Sequence, residues 1–154
     1  MHSLHFKIKN MSKKKIVVID GCRTPFLKSG TDYMDLMSYQ LGQFAIKGLL
    51  TKTGIDPKDV GQVIMGTVIS NLKTSNVARE SAITAGIPNT IPAHTVTMAC
   101  ISANRAISNA YVEMLAGQYD VAIAGGVDNT SDTPIGFRRK MRKKLFYAQK
   151  LRGF

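Results

Sequence analysis

A cysteine at a predicted strand–helix junction is the residue of this chain best placed for covalent chemistry. Residues Ala93 to Met98 alternate in polarity and predict a strand, and from Ile101 onward apolar residues recur at helical spacing. Cys100 lies at the junction. A sharp turn there would lift its side chain out of the sheet, and the helix dipole would favour the thiolate over the thiol. We therefore predict a nucleophile at Cys100.

The same position has a purely structural interpretation. Free cysteine is among the most often buried residue types, so a cysteine after an apolar strand is commonly a small core side chain. For Cys22, in the loop after the first predicted strand, we expect only this core role. The rest of the chain must show whether Cys100 is a nucleophile or a core side chain.

The elements around the junction predict an α/β fold. Short apolar strands are predicted at residues 15–20, 60–69, 93–98 and 120–124, and helices at residues 35–52, 76–85 and 101–116. This alternation is typical of a largely parallel sheet with right-handed crossovers.

Three segments follow the carboxyl ends of these strands, where open α/β sheets bind their ligands. They are Arg23–Pro25 after the first strand, Cys100 after the third and Gly125–Gly126 after the fourth. For the glycine pair, a tight turn with positive φ is favoured over contact with substrate. It does not belong to either common glycine-rich phosphate motif.

The net charge of +11 is concentrated at the two ends of the chain. Five of the 21 basic residues lie in residues 1–15 and eight in residues 138–154, while all ten acidic residues lie between these segments. The central part is slightly acidic and has no aromatic platform or recognition motif, so we expect no nucleic-acid partner. Two cysteines without metal-ligand spacing predict neither a disulfide scaffold nor a metal site, and they favour the cytoplasm.

The end of the chain predicts a basic amphipathic helix. Phe137, Met141 and Leu145 stand four residues apart with Arg and Lys between them. One interpretation is a surface helix packed on its own domain. The other is contact of residues 137–152 with phosphates or with a membrane surface as a peripheral protein.

Four motifs in register resemble the N-terminal half of the thiolases. They are R-T-P-F at residues 23–26, N-V-A-R-E at 76–80, T-M-A-C-I-S-A-N-R-A-I at 97–107 and A-G-G-V-D at 124–128. The fatty-acid β-oxidation type, including the trifunctional-protein β-subunit type, is similar also in the basic segment that follows the glycine pair. The resemblance implies one half of the duplicated thiolase fold, a mostly parallel mixed sheet with helices on both faces.

The resemblance also implies an acetyl-CoA C-acyltransferase. It would cleave 3-ketoacyl-CoA to acetyl-CoA and a shortened acyl-CoA, or run the reverse condensation, with the acyl group held on Cys100. CoA would be a substrate rather than a cofactor, and Arg138, Arg139 and Lys140 are candidates to bind it. Expected partners are further copies of the chain or a β-oxidation partner subunit, in the mitochondrion if the source is eukaryotic.

The resemblance further divides the chain into a basic N-terminal extension (1–14), an N-terminal α/β domain (15–136) and the start of a basic loop-domain helix (137–154). Thiolases are more than twice as long, and their C-terminal half supplies a histidine that activates the nucleophile and a second cysteine that handles a proton. This sequence has no cysteine after Cys100 and only one histidine, His94, outside its first five residues.

His94 cannot replace the family histidine, because six residues of strand place it about 20 Å from Cys100; we expect a hydrogen-bonded histidine at a strand edge. Asp128–Ser131 also departs from the Glu-x-Met-Ser common in the family. We therefore expect little turnover by the chain alone. The alternatives are a non-catalytic or split subunit that pairs with another thiolase chain, and a related condensing enzyme.

Overall fold

The computed structural model describes residues 15–151, so the predicted N-terminal extension lies outside the described residues. Its elements are α1 (Ser38–Thr53), β1 (Gln62–Gly66), α2 (Val77–Thr84), β2 (Ala93–Val96), α3 (Ser102–Leu115), β3 (Ala122–Gly126) and α4 (Arg139–Leu151), with a short 3₁₀ helix at Pro57–Asp59. The predicted alternation of helices and strands from α1 to β3 is confirmed.

The three strands form a parallel sheet in the order β2-β1-β3. β1 lies in the centre, where Val63 pairs with Ala93 of β2 and Ile123 of β3. Every residue of β1 is buried, as its continuous apolar pattern requires in a strand covered on both faces. The carboxyl ends of all three strands therefore lie at one edge of the sheet.

Successive side chains of β1 enter two different cores, since they alternate between the faces of the sheet. Val63 and Met65 pack in the cluster that includes Ile46 of α1 and Ala78 of α2. Ile64 packs in a second cluster with Ala106 and Ala110 of α3. Helices thus cover both faces, as predicted.

The prediction of a buried strand at residues 15–20 is wrong. This segment pairs with no strand in the described part of the chain, and Val17, Val18 and Ile19 are 71, 89 and 67% exposed. Asp20 joins it to α1 through an ion pair, with Oδ1 2.7 Å from Nζ of Lys52. A β-branched sequence favours the extended conformation, but burial requires a neighbouring strand that residues 15–151 do not supply.

The core position predicted for Cys22 is also wrong, because the residue is exposed. It lies beside α1, where a Cβ at Gly48 would be 3.0 Å from its Sγ. The missing cover over residues 15–20 accounts for this as well, since Cys22 continues the same uncovered segment.

The helix predicted at the end of the chain is present as α4, and its residues 139–150 are all exposed. Met141 and Leu145, on the predicted apolar stripe, are 46 and 45% exposed. The stripe is therefore open rather than packed on the α/β layer. Within residues 15–151, none of the helices has the length and apolarity needed to span a membrane.

Candidate active site

Cys100 lies in a sharp turn between β2 and α3, with its side chain exposed. The preceding residue, Ala99, has φ of 47° and is the one non-glycine residue with positive φ among residues 15–151. This left-handed conformation costs an alanine about 1–2 kcal/mol. The predicted junction is thus present, and it presents Cys100 to solvent instead of burying it.

Two backbone hydrogen bonds between residues three apart in the sequence close this turn. The N–H of Ile101 donates to the carbonyl of Met98 at 3.2 Å, and the N–H of Ser102 donates to the carbonyl of Ala99 at 3.1 Å. The Arg105 N–H, bonded to the carbonyl of Ile101 at 3.0 Å, then begins the regular helix. The turn therefore runs directly into α3, and Cys100 lies at its positive N-terminal end.

Two glycines allow α3 to approach the sheet this closely. A Cβ at Gly66, the last residue of β1, would lie 2.3 Å from the carbonyl carbon of Ser102. One at Gly126, the last residue of β3, would lie 2.8 Å from Cβ of Ala103. Any side chain at either position would push the start of α3 away from the sheet.

The expectation of a tight turn at Gly125–Gly126 is wrong. Both residues end β3, and neither is among the glycines with positive φ. The reason for a glycine at 126 is the close approach of Ala103 rather than a special backbone conformation.

A hydrogen-bonded chain crosses the carboxyl edge of the sheet from the turn to Asp128. The hydroxyl of Thr97 donates to the carbonyl of Thr67 at 3.0 Å, and the Thr67 hydroxyl donates to Oδ1 of Asp128 at 2.9 Å. The same carboxylate accepts the N–H groups of Val68 and Ile69 at 2.9 and 2.7 Å. Asp128 therefore ties the loop after β1 to the loop after β3.

Sequence reasoning missed this role of Asp128, although a carboxylate two residues after a strand-terminal glycine pair is a detectable signal. The next residue, Asn129, is buried and donates from Nδ2 to the carbonyls of Tyr33 and Leu36. Its Oδ1 accepts the N–H of Ser131 at 2.9 Å. Asn129, at the unspecified position of Glu-x-Met-Ser, thus links the loop after β3 to the segment before α1.

The N-V-A-R motif braces the segment that leads into β2. Asn76 caps α2 by accepting the Arg79 N–H at 3.1 Å, and it also donates to the carbonyl of Ala93 at 3.0 Å. The Arg79 guanidinium donates to the carbonyls of Asn89 and Ile91, both at 2.6 Å. These contacts hold the strand that carries the turn with Cys100.

His94 has the structural role expected for it. It lies on the edge strand β2, and its Nδ1 is 2.8 Å from Nε2 of Gln62 on β1. No group of three or more His, Cys, Asp and Glu side chains within residues 15–151 has the arrangement to hold a metal ion.

Two grooves lie near the carboxyl edge, and Cys100 lines neither of them. One, of about 380 Å³, lies between residues 22–27 and 126–131, so the ends of the first and fourth predicted strands do converge. The other, of about 220 Å³, is lined mainly by hydroxyl and amide side chains, including the buried and unbonded hydroxyl of Thr74. Residues 138–140 are exposed and belong to neither groove.

Comparison with known proteins shows the family of the chain and its similar relatives. The model of the thiolase N-terminal domain matches residues 16–153. The chain is 54% identical over 138 residues to the mitochondrial trifunctional enzyme subunit beta of Bos taurus, covering 89% of this chain and 29% of that protein. It is 46% identical over 142 residues to a probable 3-ketoacyl-CoA thiolase of Caenorhabditis elegans, covering 92% of this chain and 31% of that protein.

Among solved structures, the acetyl-CoA acetyltransferase of Bacillus anthracis is similar with a TM-score of 0.74 at 28% identity. The match covers 78% of this chain and 30% of that one. The chain therefore spans about 30% of the length of these relatives.

Proposed function

Because the chain belongs to the thiolase family, we propose that it carries the nucleophile of a 3-ketoacyl-CoA thiolase and that Cys100 is this nucleophile. The observation that supports the proposal is the turn itself. An exposed cysteine follows a residue in a strained conformation, at the N-terminal end of a helix and at the carboxyl edge of a parallel sheet.

In the thiolytic direction, the Cys100 thiolate attacks the 3-keto carbon of a 3-ketoacyl-CoA. The bond between the α and β carbons breaks, the electron pair stays on the acetyl-CoA fragment, and that carbanion takes up a proton. A thioester remains on Cys100, and the thiol of a second CoA attacks it to release the shortened acyl-CoA. In the reverse direction the same steps form a carbon–carbon bond, as in the related condensing enzymes.

The proton transfers of this scheme need groups that the described residues do not place at Cys100. His94 is bonded to Gln62, and the other cysteine, Cys22, lies beside α1. We propose that the general base and the proton donor come from a further thiolase segment, on a longer form of this polypeptide or on a second subunit.

The exposed residues 17–19 favour such a further segment. Their β-branched side chains are exposed, and the outer edge of β3 is unpaired among residues 15–151. A chain that pairs with another thiolase polypeptide, and is inactive without it, is the second candidate function.

The basic residues at the start of α4, with Arg138 directly before it, are proposed to bind anionic groups. Arg138, Arg139 and Lys140 are exposed and available for CoA phosphates, and the open stripe along α4 is available for a membrane surface. Replacing these three residues with Gln should raise the Kd for CoA in the first case. In the second, it should reduce sedimentation with anionic vesicles and leave binding to CoA unchanged.

The relatives suggest where the protein acts and with what. The trifunctional enzyme subunit beta of Bos taurus is named as mitochondrial and as one subunit of an enzyme. We propose a β-oxidation role with a partner subunit, oligomerisation and a mitochondrial location in a eukaryotic source; in a bacterial source the cytoplasm takes its place.

Acyl transfer to the chain tests the proposed nucleophile. The purified protein is incubated with acetyl-CoA, and its cysteine peptides are examined by mass spectrometry. We expect acetylation of Cys100, its retention in Cys22→Ser and its loss in Cys100→Ser. Equal acetylation of Cys22 and Cys100, or none at Cys100, would contradict the proposal.

A further inference from the structure

The hydroxyl of Ser102 is bonded to both residues that precede Cys100. Its Oγ accepts the N–H of Met98 at 2.7 Å and donates to the carbonyl of Ala99 at 2.6 Å. Ser102 is 3% exposed, so water does not compete freely for these bonds. A hydroxyl that donates once and accepts once is well suited to bridge a backbone N–H and a backbone carbonyl.

This bridge spans the strained part of the turn. Ala99 keeps φ of 47° only if the surrounding structure holds it there, because the conformation is unfavourable for a residue with a Cβ. The Ser102 hydroxyl is bonded to the carbonyl of Ala99 itself and to the N–H of the residue before it. It therefore holds both sides of the strained residue.

The hydroxyl is itself held in a fixed position. The Ser102 backbone lies against Gly66, where a Cβ would come within 2.3 Å of it, and Gly66 ends the central buried strand. The rigid sheet thus holds Ser102 through Gly66 of β1. Ser102 in turn holds the Met98–Ala99 backbone, which leads directly into Cys100.

We propose that Ser102 is a positioning residue for Cys100: its hydroxyl sets the direction of the Cys100 side chain by fixing the Met98–Ala99 backbone. This inference rests on the proposed function, in which Cys100 is the nucleophile. Ser102 makes no contact with substrate in this role. It keeps the sulfur at the N-terminal end of α3, where the positive end of the helix dipole interacts favourably with negative charge.

The test is the rate at which iodoacetamide alkylates Cys100 at neutral pH in the full chain, with Cys22 as an internal reference. For Ser102→Ala we expect the Cys100 rate to fall about two- to five-fold, the range that 0.3–1 kcal/mol of helix-dipole interaction represents. The Cys22 rate in the same protein should stay unchanged.

Two further variants separate positioning from general destabilisation. Ser108→Ala makes the same change at an exposed position of α3 and should leave both rates unchanged. Ser102→Thr keeps a hydroxyl and should restore the alkylation rate of Cys100. A folded Ser102→Ala protein with the wild-type rate, or a Ser102→Thr rate as low as that of Ser102→Ala, would overturn the inference.

The wild-type protein distinguishes this inference from the proposed function. If wild-type Cys100 reacts no faster than a free cysteine peptide at neutral pH, the nucleophile itself is contradicted, whatever the variants do. If wild-type Cys100 is fast and Ser102→Ala is equally fast, the role of Ser102 alone is contradicted.

Discussion

Gly66 determines how close the helix that follows Cys100 lies to the sheet. In Gly66→Ala, the new Cβ would lie 2.3 Å from the carbonyl carbon of Ser102, which is backbone and cannot rotate away. We expect a loss of about 1–3 kcal/mol in the free energy of unfolding, as for other overpacked core positions. The start of α3 should also shift, so alkylation of Cys100 should slow while that of Cys22 does not.

Gly125 offers a matched control for this change. A Cβ there would meet only the sulfur of Met65, at 3.6 Å, which is an ordinary contact distance. Urea unfolding and alkylation of Gly125→Ala should therefore resemble the wild type. Equal destabilisation by the two substitutions would show that strand glycines in general, and not the approach of Ser102, account for the effect.

Arg79 positions the strand β2, because its side chain is bonded to the segment that leads into this strand. Arg79→Met keeps the aliphatic stem and removes both hydrogen bonds to the carbonyls of Asn89 and Ile91. We expect the free energy of unfolding to fall by about 2 kcal/mol, the typical effect of losing hydrogen bonds from a charged group. Arg105→Met, at an exposed position of α3, should change the free energy of unfolding little. An equal loss in both variants would show that the hydrogen bonds of Arg79 have no specific effect.

The hydrogen bond of Tyr119 with Glu113 stabilises the segment between α3 and β3, and its contribution depends on pH. Burial, followed by the hydrogen bond that its hydroxyl donates to Glu113 at 2.6 Å, raises the pKa of Tyr119 above its usual value of 10.0. Below pH 10 the phenol is neutral in both states and its stabilisation is complete. Above pH 10 the unfolded state loses the proton first, so this stabilisation is lost as pH rises toward the folded pKa.

The free energy of unfolding should therefore fall more steeply between pH 9 and pH 11 for the wild type than for Tyr119→Phe, which has no phenol proton to lose. Urea unfolding at several pH values measures the two slopes. Identical slopes would mean that Tyr119 titrates in the folded protein as it does in the unfolded chain.

The sequence predicted helices and strands well where the conformation of a segment depends mainly on its own residues. Residues 93–116 carry both the strand and the helix signal, and the junction at Cys100 is where they meet. The pairing of Asp128 with Thr67 and the contact of Gly66 with Ser102 could not be predicted, since each joins segments far apart in the chain. The error at residues 15–20 has the same origin, because an apolar run does not specify which strand it will pair with.

The molecule as a whole therefore combines a well-defined turn at Cys100 with an exposed apolar segment. Val17, Val18 and Ile19 are more than two-thirds exposed in sequence positions that favour a strand, and an apolar surface of this kind is typical of an interface. If the proposed further thiolase segment packs here, residues 17–19 should become buried when it binds.

We expect the isolated chain to show no thiolysis above background, because a general acid and a general base typically contribute about 10²- to 10⁴-fold each and neither is placed at Cys100. Co-expression with a polypeptide that supplies the remaining part of a thiolase should restore cleavage of 3-ketoacyl-CoA. It should also slow amide hydrogen exchange at residues 17–19, while Cys100→Ser in the same complex should show the protection without the activity. Full turnover by the isolated chain, or restored activity with residues 17–19 still exchanging freely, would contradict this account of how the protein is completed.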